Sequence, residues 1–93
     1  MTAFALNHWQ QWDVQEQRRL KLIALAEKLV AQTAAYIELN NLYLRLERGD
    51  ERLTIHTGNT MRLLVDRAYD KDDEIMRDYW LEQFTRLPGW LDV

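Results

Sequence analysis

The chain has no cysteine, so it can form no disulfide, no thiolate metal site and no thiol nucleophile. That absence also fits a reducing compartment. Proline occurs once, at Pro88, and the three glycines stand apart at 49, 58 and 89. Isolated glycines exclude the clustered Gly pattern of a phosphate-binding loop. No apolar run approaches the ~20 residues needed to cross a bilayer, so no membrane-spanning segment is expected. The opening "MTAFALNHWQQW" has no basic leader, and Asn7 and His8 interrupt its apolar residues early. The chain is therefore expected to be an unprocessed cytoplasmic protein.

A positive excess is missing as well. The net charge is −3, and all of the imbalance lies beyond residue 52, where eight acids face five bases. Nothing resembles a basic face for holding a phosphate backbone, so direct nucleic-acid binding is not expected. Ninety-three residues, 47% hydrophobic and 29% charged, suit one small folded domain rather than a disordered chain.

What is present is a helical pattern. From about Asp13, residues Leu22, Leu25, Leu29, Tyr36, Leu39, Tyr43 and Leu46 recur at spacings of three, four and seven. Gln32 alone breaks that stripe. A second stripe, Ile23, Ala26, Val30, Ile37 and Leu44, lies ~100° further round the wheel. Together they exceed what a solvated surface helix needs, so this helix is expected to be packed on two sides. Asp13 and Glu16 fit a capping box at its start.

The stretch "NLYLRLERGDERLTIH" (41–56) has two readings. As a helix end, Leu42, Tyr43 and Leu46 continue the stripe, and Gly49 sits where a left-handed residue would follow the last turn. As a hairpin, Gly49-Asp50 is a two-residue turn that pairs Arg48 with Glu51, Glu47 with Arg52 and Leu46 with Leu53. The helix is preferred, because a lone two-stranded hairpin is marginal without cover.

Asn59 or Thr60 can cap a second helix with Met61, Leu64, Val65 and Ala68 on one face. Asp70 or Asp72 can cap a third, buried through Ile75, Met76, Tyr79, Trp80, Phe84 and Leu87 and closed by Pro88-Gly89. The predicted fold is all-α. One long helix (about 13–48) packs against two shorter ones (about 60–69 and 72–87). The alternative is an α+β fold with a hairpin at about 42–56.

A first helix of that extent is ~52 Å long, whereas the other two laid end to end reach ~38 Å. Either the long helix kinks near Gln32-Thr33 or a partner shares it. Exposed apolar patches of more than a few hundred Å² are uncommon on soluble monomers. A protein partner is therefore expected, a second copy being one form of it. The partner-binding residues read from the pattern are Leu22, Leu25, Leu29, Tyr36, Leu39 and Tyr43. The acidic residues Asp70, Asp72, Asp73 and Glu74 would steer approach to a basic surface.

Catalytic equipment is thin. His8 and His56 are the only histidines and lie far apart, with no metal-ligand spacing. Asp50, Glu51, Thr54 and Thr57 neighbour His56, but geometry rather than inventory makes a triad. The acidic run "DRAYDKDDEIMRD" fails as a calcium loop, because the sixth position from Asp70 is Ile75 rather than glycine. No metal, cofactor or catalytic residue is expected.

Of the four tryptophans, Trp80 belongs to the core. Trp9, Trp12 and Trp90 either close over the domain or anchor a partner. "RGD" at 48–50 has no secretory context and reads as chance. The function predicted from these features is a small non-enzymatic interaction module, an adaptor, inhibitor or accessory subunit. The alternative is an acidic mimic that blocks a nucleic-acid-binding enzyme.

Overall fold

The structure is a computed structural model that describes the backbone of residues 3–92 and the side chains from residue 10 to residue 92. It contains three α-helices, α1 (Ala3–Arg48), α2 (Ile55–Ala68) and α3 (Glu74–Thr85), and a 3₁₀ turn at Trp90–Asp92. No strand occurs among the described residues, so the all-α reading holds and the hairpin alternative is excluded.

Local chemistry explains the helix at 41–48. Gly49 has φ +80, a conformation that costs a side-chain-bearing residue but not glycine. In that geometry Gly49 N–H donates to the Leu46 carbonyl at 3.3 Å, and Asp50 N–H donates to the Arg45 carbonyl at 2.9 Å. These two bonds satisfy carbonyls that the end of a helix would otherwise leave orphaned. Arg45 also pairs with Glu51 across the turn at 3.1 Å. Glu51, which the hairpin register would set opposite Arg48, instead fastens a helix end through Arg45.

Helix starts differ from expectation in three places. α1 begins at Ala3, so the Asp13/Glu16 box lies inside a helix. Nothing between residues 3 and 12 breaks a helix, and Glu16 pairs with Arg19 one turn on. α2 begins five residues earlier than read, because Thr54 and Thr57 form the capping box. Thr57 N–H donates to Thr54 Oγ1 at 3.2 Å, and Thr54 N–H donates to Thr57 Oγ1 at 2.7 Å. Gly58 and Asn59 thus lie inside the helix rather than in a loop. α3 is capped by Asp73, whose Oδ1 accepts Met76 N–H at 3.3 Å, one residue beyond the Asp72 proposed.

The chain divides into two compact units, residues 1–30 and 31–93. The second holds the core: Ala35, Leu39, Leu42 and Leu46 from α1, Leu53 from the connection, Met61, Leu64, Val65 and Ala68 from α2, and Trp80, Phe84 and Leu87 from α3 and its exit. Their spacing on α1 is the 4–3–4 pattern of a single helical face. Each fully buried large side chain contributes ~1.5–3 kcal/mol.

Aromatic rings close the edge of this core. Tyr43 meets Trp80 edge-to-face with centroids 5.6 Å apart, and Trp80 lies 5.9 Å from Phe84. Trp80 Nε1–H donates to the Tyr69 hydroxyl at 2.8 Å, which pairs the one polar atom of a buried indole. Burial raises the Tyr43 hydroxyl above its ordinary pKa, with the Glu47 carboxylate adding to the rise. Burial likewise raises Tyr69, against the lowering effect of the Trp80 hydrogen bond.

Candidate functional site: an apolar face on the first unit

The first unit is the N-terminal stretch of α1. Leu, Ala, Gln, Glu, Lys and Arg dominate residues 10–30, all strong helix formers. Glu16 reinforces the helix by accepting Arg19 Nε–H at 3.0 Å. That ion pair holds the Glu16 carboxyl below its usual pKa.

Every described side chain between residues 10 and 30 is exposed except Glu16, which is half-buried. Leu22 is 66% exposed, Leu25 51%, Leu29 53% and Val30 70%, and Trp12, Val14, Leu20 and Ile23 are also open. Placed at ~100° per residue, Leu25, Leu29, Leu22, Ala26, Val30 and Ile23 follow one another round an arc of roughly 160°. The exposed apolar area of this stretch is on the order of 400 Å², at ~100 Å² for a fully exposed large side chain. That matches the largest apolar patch on an ordinary monomer, and here one stretch of helix carries it all.

The expected partner-binding residues separate into two groups. Leu22, Leu25 and Leu29 lie on this open face. Leu39 is 0% exposed, in the centre of the core, and is not available to any partner. Tyr43 is half-buried against Trp80. Tyr36 is exposed on one side, with its ring edge-to-face with Tyr69 at 6.5 Å. The stripe drawn through all six was one heptad pattern, but the fold uses its C-terminal half internally. Gln32, the residue that interrupted the stripe, donates from Nε2 to Asp70 Oδ1 at 3.1 Å. α1 runs unbroken through Gln32 and Thr33.

The acidic residues hold the α2–α3 connection together. Asp70 accepts Gln32, its carbonyl accepts Asp73 N–H at 3.0 Å, and Asp73 caps α3. Glu74 lies in the first turn of α3, where a negative charge suits the helix dipole. Asp72 is exposed. Asp66 pairs with Arg77 across the connection. No group of three or more His, Asp or Glu side chains among the described residues could hold a metal ion.

The residues around His56 do not assemble a triad. The Thr54 and Thr57 hydroxyls are engaged in the α2 cap, Glu51 pairs with Arg45, and the His56 side chain is exposed. The side chains of His8 and Trp9 lie outside the described residues. Trp80 is in the core, as read from the sequence, whereas Trp12 is more than half exposed. Trp90 lines a shallow apolar cleft with Ile55, Met61, Leu81 and Phe84, and Arg62 stands at its rim. Sequence reasoning missed this cleft, since its walls come from three separate elements. No described helix is long and apolar enough to cross a membrane. No protein-family model, no curated protein and no solved structure matches the chain.

Proposed function

We propose that this protein is a non-enzymatic interaction module of the cytoplasm, which binds another protein chain through the apolar face at residues 22–30. The observation that carries this reading is the open exposure of Leu22, Leu25, Leu29 and Val30 on a helix whose own chain buries none of them. Helices in proteins owe most of their stability to packing of an apolar face rather than to propensity. Covering this one removes apolar area from water and firms the helix that bears it. The four side chains sit on regular backbone, so little ordering cost opposes binding. Helix-in-groove recognition uses anchors at this i, i+3, i+7 spacing. Exposed acids such as Asp72 contribute at most to approach, because Asp70 and Asp73 already serve the fold.

A photo-crosslinking amino acid placed at Leu25 in living cells tests this. The expected result is a discrete protein adduct that the same probe at Ile75, an exposed position on α3, does not give. Equal labelling at the two positions, or adducts to lipid only, would overturn the reading.

A further inference from the structure

We propose that the cleft walled by Trp90 binds a small organic acid, with its apolar body against Trp90 and its carboxylate on Arg62. This goes beyond the reading of residues 22–30 as a protein interface. The cleft belongs wholly to the second unit and shares no residue with that face.

Three elements make the walls. Ile55, Gly58 and Arg62 follow one another at i, i+3 and i+7 on one face of α2. Leu81 and Phe84 stand one turn apart on α3. Trp90 comes from the 3₁₀ turn, which is folded back at Gly89: that glycine has φ +82, and Trp90 N–H donates to the Leu87 carbonyl at 3.2 Å. Phe84 is closed to solvent, so the floor belongs to the core, whereas Ile55, Leu81 and Trp90 are exposed. The space between them is about 240 Å³. That is below the ~300–1,000 Å³ of pockets for drug-sized ligands, and it suits one fused ring pair rather than a length of peptide.

Two observations point to a ligand, and to an anionic one. The first is Gly58. Glycine is the poorest helix former after proline, yet Gly58 lies inside α2 without a positive φ, and a methyl added to it would meet no atom within 4 Å. Neither backbone geometry nor packing asks for glycine there. The missing side chain leaves the α2 wall of the cleft open to close approach. The second is Arg62, which makes no ion pair or hydrogen bond among the described residues. Asp66, the acid one turn further along α2, is taken by Arg77. A guanidinium at the edge of an apolar cleft, with no acid of its own, complements a carboxylate through its fork of N–H donors.

The probe is sodium 1-naphthoate, with 1-naphthalenemethanol as its neutral counterpart, each titrated into the isotope-labelled full chain and followed by NMR. About thirteen non-hydrogen atoms at an ordinary ligand efficiency give a dissociation constant of roughly 1 mM. The naphthoate shifts should centre on the Gly58 and Arg62 amides and the Trp90 indole N–H. The neutral counterpart should bind roughly threefold more weakly, the worth of an ion pair at an exposed rim. Shifts centred on residues 22–30 instead, or equal affinity for the two probes, would overturn the proposal.

Two variants separate the charge from the cleft. Arg62→Gln should bring naphthoate down to the affinity of the neutral probe and leave the neutral probe where it was. Gly58→Leu should weaken both probes by roughly tenfold or more, because its side chain fills the space they need. Its melting temperature should stay at or above that of the wild type, since the added atoms start in open space and leucine is the better helix former. Undiminished naphthoate binding in either variant would overturn the assignment. Tighter binding of the tripeptide Ala-Ala-Phe, through its free C-terminal carboxylate, would give the site to a chain end and overturn the small acid. The Leu25 crosslink is untouched by any of these results, so the two readings stand or fall separately.

Discussion

Leu25 and Leu39 stand two heptads apart on one stripe of α1, and truncating each to alanine should give opposite results. Leu39 is 0% exposed among core side chains from all three helices. Leu39→Ala removes the burial of an isobutyl group and leaves a cavity, at a cost of about 3 kcal/mol. In a domain of this size that lowers Tm by more than ~10 °C. Leu25 is 51% exposed, and alanine is a slightly better helix former. Leu25→Ala should therefore shift the stability of the monomer by no more than ~0.5 kcal/mol. The assay is urea unfolding followed by fluorescence at low micromolar concentration, where the buried Trp80 reports on the core. If Leu25→Ala cost as much as Leu39→Ala in the dilute sample, a single chain would already cover Leu25 in solution. The interaction reading would then fail.

Four further outcomes follow from the geometry. Gly49→Ala should cost about 1 kcal/mol in thermal unfolding, because the φ of +80 penalises a side chain even though no atom crowds the added methyl. Thr54→Ala should cost about 1 kcal/mol by removing the hydroxyl that accepts Thr57 N–H, with the loss visible as fraying in amide exchange of residues 55–58. Tyr69→Phe should cost ~1–2 kcal/mol, since it leaves the Trp80 indole N–H without its acceptor, and should alter the tryptophan emission. Stability should hold through neutral pH and fall only as pH rises above the ordinary tyrosine value of 10.0. The folded state keeps the Tyr43 and Tyr69 protons more tightly than the unfolded chain does, so their contribution is present below that value and lost above it. In a pH series of urea midpoints, Tyr43→Phe should flatten the alkaline fall, and an unchanged slope would refute the assignment.

The helices were legible in the sequence because a period of 3.6 residues repeats through Leu39, Leu42 and Leu46 and again through Met61, Leu64 and Val65. Gly49 was legible as a stop for the same stereochemical reason that it acts as one. The starts were not. Asp13 and Glu16 have the composition of a cap, yet a cap acts only where the chain before it is not already helical, and that is a property of residues 3–12. Thr54 and Thr57 escaped notice because the reciprocal bond that closes a capping box came from a threonine rather than the usual glutamate or glutamine.

The division of the stripe between core and open face was hidden for a different reason. Periodicity records which side of a helix is apolar, and it is silent on how far along that side the rest of the chain can reach. α1 has 46 residues, whereas α2 has 14 and α3 has 12. Helices that short can shelter a length of α1 similar to their own, and among the described residues the buried positions on α1 run from Ala35 to Leu46. Leu22, Leu25 and Leu29 continue the same heptad and are exposed, though as apolar as the residues that found cover. A sequence under no demand to bind would have placed polar residues there at little cost to the fold, since none of these three contributes to the core. The apolar residues that remain are therefore what the proposed interface must explain.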